Sequence, residues 1–203
     1  MTPIRLVLAD DQALVRGALA ALLDLEPDLE VVGQAEDGEE VVRVVGATLP
    51  DVVLMDVEMP GGDGIDATTR LRERHPDVRV LVVTTFGRPG YLRRAMQAGA
   101  SGFVVKDTPA HALADAVRRV HAGLRVVDPA LAADSLALGD SPLTPRETEV
   151  LRAAASGATI AQLARTLHLS EGTVRNHLSS VIGKTTARNR ADAVRIAREA
   201  GWL

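Results

Sequence analysis

The chain has 203 residues, 46% of them hydrophobic and 25% charged, with no cysteine and a net charge of −4. That length suits one or two domains, each large enough to bury a core; no apolar run approaches the roughly 18 residues of a membrane span, and the opening stretch MTPIRLVLADD, which runs straight into two aspartates, does not read as a signal peptide. Without cysteine, disulfides, thiolate metal sites and thiol nucleophiles are excluded, and the cytoplasm is the expected location.

The aromatic residues are Phe86, Tyr91, Phe103 and Trp202. The core is therefore expected to be aliphatic, and a surface of stacked aromatics for single-stranded nucleic acid is not expected. Charge is unevenly spread. Residues 1–140 hold 14 Lys/Arg against 22 Asp/Glu, a net of −8, whereas residues 141–203 hold 9 against 5, a net of +4. An acidic front and a basic back point to two modules, the second suited to a polyanion.

In chain order, residues 4–9 (IRLVLA) form a short apolar run that ends in Asp10-Asp11 and predicts a buried strand. Residues 12–25 carry apolar positions at helical spacing, and Pro27 follows their end. Strands are predicted over 29–35, 51–57, 78–85 and 102–106, and helices over 39–47, 64–75, 91–98 and 110–122. Five strands thus alternate with five helices over about 120 residues. Continuous Val/Leu/Ile runs imply strands buried on both faces, hence a doubly wound parallel α/β sheet, a fold that binds ligands at the carboxyl ends of its strands.

Residues 124–141 have less pattern and read as a linker with room for one helical segment. Beyond Pro142 only helices are predicted. Thr144-Pro145-Arg146-Glu147 and Thr159-Ile160-Ala161-Gln162 are capping boxes. Ser170 caps a third helix over 171–182, and a fourth covers 190–201. Four short helices with tight turns suit a second, all-α helix-turn-helix domain. The expected division is 1–123, 124–141 and 142–203.

Asp10, Asp11 and Asp56 fall at the carboxyl ends of predicted strands, which lie side by side in a parallel sheet. Carboxylates crowded there repel one another unless a cation sits among them, and hard oxygen ligands favour Mg²⁺. Lys106 ends another strand with an ammonium, and Thr84 ends the remaining central one with a hydroxyl. A single aspartate after a strand is more often a helix N-cap; acid, acid, acid, hydroxyl and amine in this order form a specific set. The catalytic rival, a haloacid-dehalogenase-like phosphatase, requires a DxD motif where this sequence has DD.

The segments LADD, LMDVEMPGGDG, VVTTF and FVVKD resemble the receiver domain of two-component response regulators (a CheY-like, five-stranded fold). The resemblance implies that Asp56 accepts a phosphoryl group from a sensor histidine kinase. It implies Mg²⁺ on Asp10, Asp11 and Asp56 with the backbone carbonyl of Glu58. It also implies a phosphate-contacting pair, Thr84 and Lys106, and a switch aromatic, Phe103. A carboxylate nucleophile forms an acyl phosphate, while metal and lysine offset charge on the transferring group.

The stretch SPLTPRETEVLRAAASGATIAQLARTLHLSEGTVRNHLSSVIGK resembles the LuxR-type (NarL/FixJ) DNA-binding domain over nearly all of 141–203, and its detailed string is similar to a DesR-like branch. The third helix then reads double-stranded operator DNA. Arginine and asparagine suit base edges, and Thr, Ser and Lys suit phosphates. The resemblance assigns bases to Arg175, Asn176 and Ser179, and backbone contacts to Thr173, His177, Lys184 and Arg188; read alone, His177 is more often a helix-surface histidine. Thr185-Thr186 departs from the family pattern, which has an apolar residue after the lysine.

Together the two halves imply a transcription regulator rather than an enzyme, one that forms a homodimer when phosphorylated. Candidate dimer faces are Leu14, Ala18, Leu113 and Val117 on the first and fifth helices, the surface beside Thr84 and Phe103 that includes Tyr91, and Ala193 and Ile196 on the last helix. The rival readings are a phosphotransfer enzyme acting on small substrates and a receiver that works by protein contact alone.

Overall fold

The computed structural model describes residues 2–60, 63–85, 87–137 and 141–203. Gly61, Gly62 and Phe86 of the motifs quoted above lie outside them. The chain divides into two compact units, one of residues 1–87 and 92–132, the other of 88–91 and 133–203.

In the first unit the strands are β1 (Ile4–Ala9), β2 (Leu29–Ala35), β3 (Val52–Met55), β4 (Arg79–Thr84), β5 (Gly102–Val105) and β6 (Val126–Val127). They form one sheet in the order β2-β1-β3-β4-β5-β6, every neighbouring pair parallel. In chain order the helices among these strands are α1 (Ala13–Leu23), α2 (Gly38–Thr48), α3 (Gly64–Arg74), α4 (Pro89–Gln97, of which 89–91 group with the second unit) and α5 (Ala110–His121). All four residues of β3 are buried, as a continuous apolar run between two helical layers must be. The sixth strand departs from the expected five. A two-residue strand is too short to carry a periodic signal, and β6 exists because Val126 and Val127 find the free edge of β5 at Gly102 and Phe103.

Register sets the functional edge. Ala9 pairs with Met55, Met55 with Val82, and Thr84 with Val105. The residues that leave the sheet at that edge are therefore Asp10, Asp56 and Lys106, next to Thr84. Backbone bonds continue the ladder one step further: the Asp56 N–H donates to the Ala9 carbonyl at 2.8 Å, and the Lys106 N–H to the Thr84 carbonyl at 2.7 Å. Helix α3 starts immediately beyond the β3 loop, where the Asp63 carboxylate accepts from the Ile65 N–H.

Helix α5 turns Leu113, Ala114, Ala116, Val117 and Val120 onto the sheet. This corrects the expectation that Leu113 and Val117 belong to a docking face: the apolar stripe of α5 is what anchors it to its own core. On α1, Leu14 and Ala18 are exposed.

The stretch 124–141 contains β6 and α6 (Pro129–Ala137). The helices that follow, all in the second unit, are α7 (Pro145–Ala154), α8 (Ile160–Thr166), α9 (Glu171–Lys184) and α10 (Arg190–Glu199). Both predicted capping boxes are formed, with Thr144 and Glu147 opening α7 and Thr159 and Gln162 opening α8. Val150, Leu151, Leu163, Val174, Leu178, Val181, Ala193 and Ala197 build a common core. Ala193 is thus a packing residue rather than part of a docking surface. Thr185 is buried where the family pattern has an apolar residue, and its hydroxyl donates to the Val181 carbonyl at 2.8 Å, so that hydroxyl is satisfied.

Candidate functional site

The carboxyl edge of the sheet holds a buried acidic pocket. One carboxylate oxygen from each of Asp10, Asp11 and Asp56 lies within 4.8 Å of the others. Asp10, Asp56 and Thr84 are buried, whereas Asp11 is exposed at the mouth. Lys106 reaches between the two buried acids, its Nζ 2.7 Å from Asp10 Oδ2 and 2.7 Å from Asp56 Oδ2. The other oxygens take backbone donors: Asp10 Oδ1 accepts from the Gln12 N–H at 2.9 Å, and Asp56 Oδ1 from the Val57 N–H at 2.7 Å.

These contacts set the charge states. Burial pushes the Asp56 carboxyl above its ordinary value, a tendency opposed by Lys106 and assisted by Asp10. Burial disfavours the Lys106 ammonium, yet Asp10 and Asp56 together hold its pKa above the ordinary lysine value. Lys106 is therefore a fixed positive charge. The pocket offers a partly desolvated carboxylate, a cation beside it, and a cluster of hard oxygens that fits a small divalent cation such as Mg²⁺.

Glu58 lies two residues beyond Asp56 with an exposed side chain, and Phe103 on β5 is fully buried. Asp10, Asp11, Asp56, Thr84 and Lys106 thus lie at this sheet edge, Glu58 lies in the segment after Asp56, and Phe103 lies inside β5, two residues before its end. Two further contributors went unread in the sequence. The Arg16 guanidinium on α1 donates to the Asp10 backbone carbonyl. Asp63, which caps α3, pairs with Arg94 on α4 at 2.7 Å, tying the start of α3 to a second helix. The sequence signal for Arg16 was a basic residue in the first turns of a helix that follows two aspartates.

In the second unit, α9 has an apolar side made of Val174, Leu178 and Val181 and a solvent side that carries Arg175, Asn176 and Ser179. Ser170 caps it by accepting from the Thr173 N–H at 3.0 Å, and Arg175 forms an exposed pair with Glu171 at 2.8 Å. Thr173 and His177 are half-buried, and Arg188 is exposed and reaches Asp192. Lys184, exposed in the last turn of α9, donates its Nζ to Glu147 Oε2 at 2.6 Å.

The family model for the response regulator receiver domain matches residues 6–118, and that for bacterial regulatory proteins of the luxR family matches residues 141–197. The chain is 45% identical over 200 residues to the uncharacterized transcriptional regulatory protein YvfU of Bacillus subtilis (strain 168), covering 98% of this chain and 100% of that protein. It is 41% identical over 200 residues to the transcriptional regulatory protein DesR of the same organism, covering 98% and 99%. It is 43% identical over 202 residues to the response regulator RamR of Streptomyces coelicolor, covering 98% of each. Among solved structures, the response regulator ChrA of a heme-sensing two-component system aligns over 100% of both chains, with 35% identity and a TM-score of 0.60. With both domain types matched and relatives aligned end to end, the chain belongs to the LuxR-type (NarL/FixJ) response regulators, transcriptional regulators that couple a receiver domain to a helix-turn-helix DNA-binding domain.

Proposed function

We propose that Asp56 is the phosphoacceptor of this regulator and that its phosphorylation by a sensor histidine kinase controls a dimer that binds operator DNA. The observation that carries the reading is the Lys106 ammonium 2.7 Å from Asp56 inside a cluster of three aspartates. One carboxylate oxygen of Asp56 attacks the phosphorus of a phosphohistidine; the new O–P bond forms as the P–N bond breaks, and the imidazole nitrogen keeps the electron pair. Lys106 is positioned to hold the charge on the phosphoryl oxygens. Asp10, Asp11 and Asp56, with the Glu58 carbonyl, would hold Mg²⁺, which when bound supplies further positive charge to the same oxygens.

Thr84, at the end of β4, then donates its hydroxyl to the phosphoryl group. Its movement changes the space beside Phe103 and biases the receiver between two packings. In the second unit, Arg175, Asn176 and Ser179 face base edges in the major groove, and Thr173, His177 and Arg188 face the phosphate backbone; Lys184 is held back from that set by its pair with Glu147. Residues 1–123 serve as the receiver, 124–141 as the connector and 142–203 as the DNA-binding module. The protein acts in the cytoplasm, consistent with the absence among the described residues of any helix long and apolar enough to cross a membrane.

The test is Mg²⁺-dependent labelling of the full chain with a radiolabelled small phosphodonor. Asp56→Asn is expected to abolish the label, and chelating the metal to suppress it in the parent. Persistent labelling of the variant would move the acceptor elsewhere.

A further inference from the structure

Glu147 is a carboxylate with almost no access to water, its residue 5% exposed, on a small domain whose other charges lie mostly at the surface. It accepts three hydrogen bonds. The Thr144 N–H donates to Oε2 at 2.7 Å, closing the capping box. The other two donors come from α9, 33 and 37 residues away: Ser180 Oγ to Oε1 at 2.6 Å and Lys184 Nζ to Oε2 at 2.6 Å. Ser180 and Lys184 are one helical turn apart, so they lie on one side of α9 and grip the same carboxylate at two levels. The solvent side with Arg175, Asn176 and Ser179 runs next to them.

A capping box needs a Glu or Gln and nothing more; the amide of Gln162 does that work at the start of α8. At α7 the charge of Glu147 is used for something else. The chain contains two lysines, Lys106 and Lys184, against 21 arginines. Each lysine meets a buried carboxylate, Lys106 in the acidic pocket and Lys184 at Glu147.

We infer that Glu147 is a positioning residue for DNA recognition, fixing the rotation of α9 against α7 through Ser180 and Lys184, and that Lys184 is a strut of this domain rather than a contact to DNA phosphate. The consequence for specificity is direct. Base-reading side chains on α9 must be held within a fraction of an ångström and about 10–20° to discriminate bases. A buried carboxylate shared by two turns of the helix resists rotation about its axis in a way that aliphatic packing alone does not.

The experiment uses the full chain and two duplexes, one selected from a random-sequence pool on the parent protein and a scrambled version of it. Affinity is measured across a salt series for the parent, Glu147→Gln, Lys184→Met and the double variant, each checked for its melting midpoint. Expected for both single variants is a loss of preference for the selected over the scrambled duplex, on the order of tenfold, with the slope of log affinity against log salt unchanged. The double variant loses no more than the worse single one, because the two residues act as one unit. A slope lowered by about one in Lys184→Met would make Lys184 a phosphate contact and overturn the strut. A parental preference in folded Glu147→Gln would overturn the positioning role. If Glu147→Gln does not fold, Glu147→Met combined with Lys184→Met leaves no unpaired charge and carries the same two readouts.

Discussion

A Cβ placed on Gly64 would stand 1.8 Å from the backbone carbonyl oxygen of Asp56. The first residue of α3 therefore lies directly on the end of β3, and the Gly64 N–H bonds the Val57 carbonyl at 2.9 Å. The turn after the proposed phosphoacceptor can close this tightly because glycine has no side chain.

Gly64→Ala is expected to force that loop away from Asp56. The obstructing atom is backbone, so relief requires moving the strand end or the helix start, at a cost of about 1–3 kcal/mol. Labelling by a phosphodonor should fall with it. Gly46→Ala in α2 is the control: there a Cβ would meet the His75 ring at 3.9 Å, and the change should be neutral or stabilise by about 0.5–1 kcal/mol. Chemical denaturation of both variants checks the pair, and equal stability would remove Gly64 from the site's support.

The parts of the pocket that were legible in the sequence are those set by covalent order. Apolar runs that stop at Asp10, Asp56 and Lys106 announce strand ends, and parallel pairing brings such ends together whatever the details of packing. What was not legible depends on which surfaces meet. Arg16 could be placed on a helix but not aimed at the Asp10 carbonyl. The α5 stripe could be found by its spacing, yet spacing does not say whether Leu113 and Val117 face the sheet or a partner. The capping box of Glu147 was readable within four residues, whereas its bonds to Ser180 and Lys184 arise only when α9 crosses α7. Val126 and Val127 become a strand because an edge is free, which is a property of the sheet and not of two valines.

Thr84→Ala tests the switch. The residue is 1% exposed at the end of β4, so removing its hydroxyl changes little at the surface. The acceptor and Lys106 remain, and labelling of Asp56 is expected to proceed. The phosphorylated variant should then dimerise more weakly than the phosphorylated parent in sedimentation experiments. Dimerisation at the parental level would take the hydroxyl out of the relay.

Acid should unfold the DNA-binding unit through two carboxylates. Burial pushes the Glu147 carboxyl up, but Lys184, Ser180 and Thr144 outweigh it and hold the pKa at about 2 against an ordinary 4.5. The Arg188 N–H and the Arg195 guanidinium hold Asp192 at about 2 against 3.8. A folded-state pKa below the unfolded value stabilises at pH above the unfolded value and loses that stabilisation as the pH falls through the folded one. The melting midpoint of this unit is therefore expected to be flat above about pH 5 and to fall between pH 4.5 and 2. Glu147→Gln should flatten part of that fall, and an acid limb unchanged in the variant would mean that Glu147 is not responsible for it.

Arg175 is the sharpest test of the base-reading face. Its guanidinium is exposed and holds Glu171 one turn earlier on α9. An exposed pair of this kind contributes little to stability, so Arg175→Ala should leave the melting midpoint nearly unchanged. On DNA the same guanidinium is free to exchange Glu171 for the acceptors of a guanine edge, a bidentate contact worth about 1–3 kcal/mol of discrimination. The variant should accordingly lose that much affinity for the selected duplex and relax the preference at one base position. Footprints and position-by-position competition report the two effects separately. An unchanged preference at every position would place base reading elsewhere on α9, and a uniform loss across all sequences, with a salt slope lowered by about one, would make Arg175 a phosphate contact instead.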